Sequence, residues 1–471
     1  MGSGEKVSLW IDQQQPLKPR ASLEHDINAD VVIIGAGFTG LWTAYYLKQH
    51  APNLNVVIVE AKHAGFGASG RNGGWLMGNM LGEERLVGEL EPAARKASFD
   101  LLHGIPDEVA RVCAAEGIDC DLQKAGVLYA AARYPEQYTR LRQYLADLHS
   151  LGHSEEDYHW LEPDQLAEQL RVANAYGAIY SPHVATINPA KLVLGLAQAV
   201  ERLGVTIYEQ SPVTEWQKGL VRTAKAQVKA SWVVPCVEGY SGTLAPLGKH
   251  VIAVQSLIVA TEPLSAQQWD SIGLARGQAF SEFSRQVTYG QRSLDDRLVF
   301  GARGGYQFAG RLRQDFSLSA DEVGLRRYLM SEIFPQLSDV AFSHSWGGNL
   351  GMARRFAPHM LRDSQSGIAL AGGYGGEGVG ATNLAGRTLC ALILNQQNEL
   401  LDQPWVLSDG PLSRLRRWEP EPLRWLGYNA IIRSFVYEDK TLANLQSPPW
   451  RRKIAEQLAA RMESLMTWKV G

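Results

Sequence analysis

Cysteine is scarce in this chain. Cys113, Cys120, Cys236 and Cys390 are the only four in 471 residues, and none stands at metal-ligand spacing from another. That excludes a small disulfide-built secreted scaffold and predicts reduced thiols in a cytoplasmic protein. Excess charge of one sign is lacking too. Basic residues number 46 against 49 acidic, a formal net charge of −3, which leaves no electrostatic footprint for nucleic acid. The apolar runs are of strand length, too short to span a bilayer. The N-terminus lacks the basic-then-apolar pattern of a secretory signal. Histidines such as His183, His344 and His359 show no ligand spacing, so they read as structural and no metal is expected. With 45% hydrophobic residues, the chain can bury a large core and should hold more than one domain.

Glycine, by contrast, is plentiful, with 46 residues, and three clusters of it carry the chemistry. The first follows an apolar strand, Val31-Val-Ile-Ile34, as Gly35-Ala-Gly37-Phe38-Thr39-Gly40, and leads into the helical run Leu41–Leu47 and the strand Val57–Val59. In such a βαβ opening Gly35 permits the tight turn, Gly37 lets the backbone approach a pyrophosphate, and Gly40 lets helix and strand pack closely. The helix N-terminus points its N–H groups at the phosphates. Glu60, followed by Ala61, stands twenty residues past Gly40. A carboxylate there accepts hydrogen bonds from both ribose hydroxyls and repels a 2′-phosphate.

The second cluster, Ala64–Gly74, suits a long ligand running past the first βαβ unit with backbone pressed against it. Gly67, Ala68 and Asn72 fall within it, Ser69 and Arg71 can donate to pyrophosphate, and Gly73 with Gly74 can lie flat against a ring system. The third, Leu370–Gly380, contains Gly373, Gly376, Gly378, Val379 and Gly380 and precedes a helical run from Ala381 and Thr382 to Ile393. Its backbone N–H groups and positive helix terminus can stabilise negative charge on a reduced flavin. The ligand these clusters describe is FAD rather than NAD. No histidine or cysteine occupies the glycine motifs, so attachment is expected to be non-covalent.

These motifs resemble those of the glycine oxidase and D-amino-acid oxidase superfamily of FAD-dependent amine oxidoreductases, most of all its γ-glutamylputrescine oxidoreductase branch. The resemblance runs from Ser8-Leu-Trp10 through the three clusters, the strand and turn Val233-Val-Pro-Cys-Val-Glu-Gly-Tyr240, and Trp346-Gly-Gly348. It implies an α/β fold, α+β overall, with a Rossmann-like FAD-binding domain of the glutathione-reductase type. A discontinuous substrate domain on a mostly antiparallel sheet accompanies it. Residues 1–90, 171–250 and 346–400 are expected to form the FAD-binding domain, with Val213 contacting the adenine through its backbone. Residues 91–170 and 251–345 are expected to form the substrate domain, and 401–471 a C-terminal helical extension.

The chemistry such a family performs needs positioning more than a strong base. The neutral amine's α-carbon lies over flavin N5 for hydride transfer, and the resulting imine hydrolyses to an aldehyde. Glu377 sits where many relatives carry histidine and could hold the substrate ammonium or serve as a structural acceptor. Arg303 falls where amine oxidases of the family carry an oxygen-activating lysine; arginine keeps the charge but cannot give up a proton. Val379 and Gly380 offer no cation for a substrate carboxylate, which favours an amine over an α-amino acid. Trp75, Tyr306, Trp346 and Tyr374 are candidates for an aromatic cage around an alkylamine. The expected substrate is thus an amine such as a γ-glutamylated polyamine, with oxygen or a quinone as acceptor. A sarcosine- or pipecolate-type amino acid is the alternative, and a binding subunit without turnover is a third reading.

In the tail, Ile454, Leu458, Met462 and Leu465 form one apolar stripe behind Arg451-Arg-Lys453. Two readings stay open: a helix packed on its own chain or a sister subunit, or an element docking on the inner-membrane surface.

Overall fold

The computed structural model describes residues 8–467. Two eight-stranded sheets organise the chain. The first is built around Ile27–Ile34, which pairs in parallel with Val56–Val59 on one side and Gln227–Pro235 on the other. Val31, Val32, Ile33 and Ile34 are all buried, as a strand covered on both faces requires. Ile368–Gly372 adds in parallel beyond Gln227–Pro235, and Thr206–Tyr208 beyond Val56–Val59. The turns that leave the C-terminal ends of these parallel strands carry Gly35, Glu60, Cys236 and Gly373. Ligands of open α/β sheets bind in that crevice.

Two helices cover one face of this sheet, Phe38–His50 and Gly378–Ile393. They approach so closely that a Cβ on Gly386 would lie 2.5 Å from Trp42 Cβ. A third helix, Pro189–Arg202, begins with proline in its first turn and is capped by Asn188, whose Oδ1 accepts from Lys191 N at 3.2 Å.

The second sheet is antiparallel except where Ala279–Glu282 runs parallel to Val127–Ala131. Its longest members are Val251–Thr261 and Phe342–Ala353, and Phe280, Phe300 and Phe334 fill the core beneath the Ala320–Ile333 helix. Two segment boundaries differ from the sequence-based division. Gly177–Ser181 pairs with Val127–Ala131, so the return to the first sheet comes after residue 171. Phe342–Ala353 pairs along its length with Val251–Thr261, so the second excursion outlasts residue 345. In both cases the partner strand, and not the segment's composition, decides the sheet it joins.

The tail forms two helices, Leu423–Ala443 and Pro449–Thr467. Of the apolar stripe, Met462 alone packs into the hairpin. Ile454, Leu458 and Leu465 are exposed and Met462 is half-buried, whereas Ala455, Ala459 and Met466 are buried, Ala459 and Met466 in one cluster with Phe435 of the preceding helix. Small side chains let the helices approach closely, and that contact outweighs the larger apolar residues. Ion pairs fasten the hairpin to the second sheet's loops. Arg285 bridges Glu438 at 2.6 Å and Glu463 at 2.9 Å, and buried Arg133 grips Asp439 at 2.6 and 3.1 Å. Among the described residues no helix is long and apolar enough to cross a membrane.

Candidate active site

A groove of about 400 Å³ runs along the strand ends of the first sheet. Gly35, Gly37, Phe38 and Thr39 line it at the first turn, Glu60 and Ala61 at the second, and Val213 beyond them. Gly67, Ala68, Ser69 and Asn72 form another wall, and Gly376, Gly378, Val379 and Thr382 close it at the third cluster.

The backbone explains why glycine is needed here. Gly35 has φ +105°, and a Cβ on it would lie 2.7 Å from Cys236 O; a Cβ on Gly37 would lie 3.0 Å from Ser69 Oγ. Gly40 lies outside the groove and serves the helix–strand contact, since its Cβ would stand 2.2 Å from Gly35 O. Ser69 Oγ accepts from Phe38 N at 2.9 Å and holds the helix start in place. Glu60 accepts from Ala36 N and Lys62 N, both at 2.8 Å, while burial raises its pKa. Two helix N-termini and glycine-bare walls fit an anionic dinucleotide, and Glu60 lines the same groove.

Several residues expected along the cofactor are not part of the groove's own lining. Arg71 is buried between the groove and a second cavity: its Nε donates to Phe66 O at 2.7 Å and its guanidinium stacks 3.6 Å from the Phe316 ring centre, and Phe66 and Phe316 both line the groove. Gly73 lines that same cavity, where its Cβ would meet Tyr289, and a Cβ on Gly74 would strike Gln291 and Ile187 O. This pair therefore seats the loop closely against Tyr289 and Gln291 of the second sheet. Gly373, Gly380 and Ala381 lie behind the groove wall. Gly373 abuts Ala353, a Cβ on Gly380 would lie 2.1 Å from Met77 O, and Ala381 is fully buried.

The second cavity, of about 520 Å³, shares Ala68, Asn72, Leu350, Gly376 and Val379 with the groove. A reacting molecule in it would therefore adjoin the cofactor. Glu377 and Arg303 both line it. Glu377 is half-buried directly before the Gly378–Ile393 helix; burial first, then the nearby Glu84 carboxylate, pushes its pKa up to about 8. Arg303 Nε donates to Arg285 O at 3.2 Å and its guanidinium lies 5.6 Å from the Phe435 ring centre.

The expected aromatic cage does not assemble. Trp346 is fully buried outside both cavities, donating to Arg71 O at 2.8 Å with its ring against Trp10. Tyr306 is buried against Tyr428 with its hydroxyl on Glu421, also outside the cavity. Tyr374 lines the groove, and only Trp75 reaches the second cavity, where its indole N–H has no acceptor among the described residues. Both corrections have one cause: each of these aromatic side chains is drawn to a hydrogen-bond partner behind the wall.

Sequence reasoning missed other residues. Glu83 and Glu84 line the second cavity beside Glu377. Tyr144 Oη donates to Glu84 at 2.8 Å, and burial raises both carboxyls, Glu83 well above its ordinary value. Tyr428, Phe435, Glu463 and Met466 reach it from the tail, so the C-terminal hairpin is part of the cavity wall. The adjacent acids at 83 and 84 were visible in sequence, but only folding shows which way they face.

The comparisons with known proteins agree with this architecture. The DAO model, described as FAD dependent oxidoreductase, matches residues 30–392. The chain is 30% identical over 406 residues to probable oxidoreductase OrdL of Haemophilus influenzae, covering 83% of this chain and 88% of that protein. It is 28% identical over 395 residues to gamma-glutamylputrescine oxidoreductase of Escherichia coli, covering 82% and 88%. The solved structure of glycine oxidase from Bacillus cereus is similar with a TM-score of 0.65 at 21% identity, over 80% of this chain and 98% of that one. The chain therefore belongs to the DAO family of FAD-dependent oxidoreductases and is an enzyme that acts on a carbon–nitrogen donor, an amine or amino acid.

Proposed function

We propose that this enzyme oxidises a cationic amine, such as a γ-glutamylated diamine, to an imine that hydrolyses to an aldehyde. The observation that carries this reading is the composition of the second cavity. Glu83, Glu84 and Glu377 stand together in an aromatic wall, and burial raises the pKa of each. A bound ammonium relieves both the desolvation and the mutual repulsion of these carboxylates, whereas a simple carboxylate substrate adds to the repulsion.

Bound FAD supplies the two-electron acceptor; the chain's own residues do the rest. Glu377, next to the Gly376 opening between cavity and groove, holds the reacting nitrogen and takes up its proton when ionised. The rings of Trp75, Tyr129, Tyr289 and Phe435 cover the alkyl chain and exclude water. Glu463, in the same cavity, suits the α-ammonium of a γ-glutamyl group. The similarity to gamma-glutamylputrescine oxidoreductase supports the same choice.

Anaerobic mixing of the enzyme with single substrates tests it. γ-Glutamylputrescine is expected to bleach the flavin faster than sarcosine, pipecolate or glycine. Faster bleaching by sarcosine or pipecolate would replace this reading with a secondary-amino-acid oxidase. The acceptor is read by mixing photoreduced enzyme with air-saturated buffer. Arg303 keeps a positive charge that stabilises a superoxide-like transition state, so reoxidation with peroxide formation is expected. Slow reoxidation in air with fast reoxidation by a quinone analogue would make it a dehydrogenase.

A further inference from the structure

Away from the groove and cavity, three turns distant in sequence bring histidines together. His103 ends the Pro92–His103 helix, His153 and Asp157 lie in the turn after Glu136–Leu151, and His183 lies between Gly177–Ser181 and Val184–Thr186. One ring nitrogen each from His103 and His153 and a carboxylate oxygen of Asp157 lie within 4.8 Å of one another. The Asp157 carboxylate is already oriented. Its Oδ2 accepts from Ser154 N and Oγ, each at 2.8 Å, and its Oδ1 stands 2.9 Å from His183 Nε2 and 3.4 Å from His103 Nδ1.

The imidazoles themselves are not satisfied. His153 is only 5% exposed, yet neither ring nitrogen has a hydrogen-bond partner, and His103 Nε2 is buried without one. A plain aromatic stack would explain the ring contacts of Phe99, His153 and His103 but would leave these nitrogens desolvated for nothing in return. The spacing also suits an ion. The His103 and His153 ring centres are 5.2 Å apart, and two imidazoles on one tetrahedral ion, bonded at about 2.0–2.1 Å, place their centres about 5 Å apart.

We propose that His103, His153 and Asp157 form a binding site for a divalent transition metal, with Zn²⁺ the best match to two imidazoles and a carboxylate. His183 is the outer partner that fixes Asp157, as ligating carboxylates require. The site is structural. It ties two turns and a helix end to the strand Trp75–Met77, because Gly78 N donates to His183 O at 2.8 Å and Trp75 and Met77 line the substrate cavity. A metal there stiffens the cavity wall without touching the cofactor.

The test uses untagged, FAD-loaded enzyme equilibrated with micromolar Zn²⁺, dialysed, and analysed for metal. About one Zn²⁺ per chain is expected, with a Zn²⁺-dependent rise in the flavin-release temperature. Asp157→Asn and His153→Gln are expected to abolish retention while still binding FAD, and His183→Asn to weaken it about 10–100-fold. Wild-type enzyme that retains no Zn²⁺ or Co²⁺, or an Asp157→Asn variant that retains as much as wild type, overturns the proposal. Should His153→Gln fail to fold, the wild-type stoichiometry and Asp157→Asn still decide it. The amine reading plays no part in this measurement, so either can fail alone.

Discussion

Glu238 accepts hydrogen bonds from the backbone N–H groups of Gly373 and Tyr374, at 3.0 Å each, and so ties the third glycine cluster to the turn after Gln227–Pro235. Glycines surround the carboxylate, since a Cβ on Gly351 or Gly372 would lie 2.5 or 2.7 Å from its oxygens. Burial pushes its pKa up to about 7 against the two N–H donors, which pull it down. A carboxyl whose folded pKa exceeds its unfolded value of 4.5 favours the folded state most at low pH. That contribution is lost as pH rises from 4.5 through 7. Glu238→Gln is expected to flatten the fall in Tm across this window relative to wild type. Parallel Tm curves for the two proteins would remove Glu238 as the source.

The groove's acid makes a second prediction. Glu60→Ala leaves the Ala36 and Lys62 N–H groups without their acceptor and removes the expected ribose contact. FAD retention should weaken by about 1.5–3 kcal/mol, read as the Kd of the apoprotein for FAD by flavin fluorescence. The same preparation is expected to release intact FAD on acid or heat treatment. Flavin that stays with the precipitated polypeptide would instead reveal a covalent link.

For Glu377 the prediction concerns pH and rate together. Its carboxyl ionises only around pH 8, so the second-order constant for anaerobic flavin reduction should rise as pH increases through that value. Glu377→Gln should keep FAD bound, slow reduction, lose mostly amine affinity, and erase the limb near pH 8. An unchanged pH profile in the variant would reduce Glu377 to a scaffold residue.

Trp346 should behave as framework. Trp346→Phe removes the donor to Arg71 O in a fully buried site. A loss of about 1–3 kcal/mol of stability is expected, visible as a lower Tm, with flavin reduction by amine little changed. A large loss of reduction rate at unchanged Tm would return this residue to the chemistry.

The cofactor groove was the part most readable from the chain. Gly35, Gly37 and Glu60 belong to one βαβ unit, whose turn, helix start and second strand are local consequences of about thirty residues, and local backbone demands leave marks that periodicity and glycine spacing expose. The final helix was equally legible as a helix, because its apolar spacing is local.

Which face that helix would bury was not local. Ala459 and Met466 pack on the Leu423–Ala443 helix while Ile454 and Leu458 stay exposed, because a small side chain lets the two helices approach closely. The substrate cavity depended on the same kind of decision. Glu83 and Glu84 from one loop, Glu377 from the third glycine cluster, and Glu463 from the tail meet only after both sheets and the hairpin are assembled. Trp346 and Tyr306 were excluded from it because Arg71 O and Glu421 offered their polar atoms partners elsewhere. The sequence by itself determined the cofactor cradle, since each of its parts answers a demand of the adjacent backbone. Tertiary structure alone decided what shares the substrate cavity, since that is set by packing between segments that carry no record of one another.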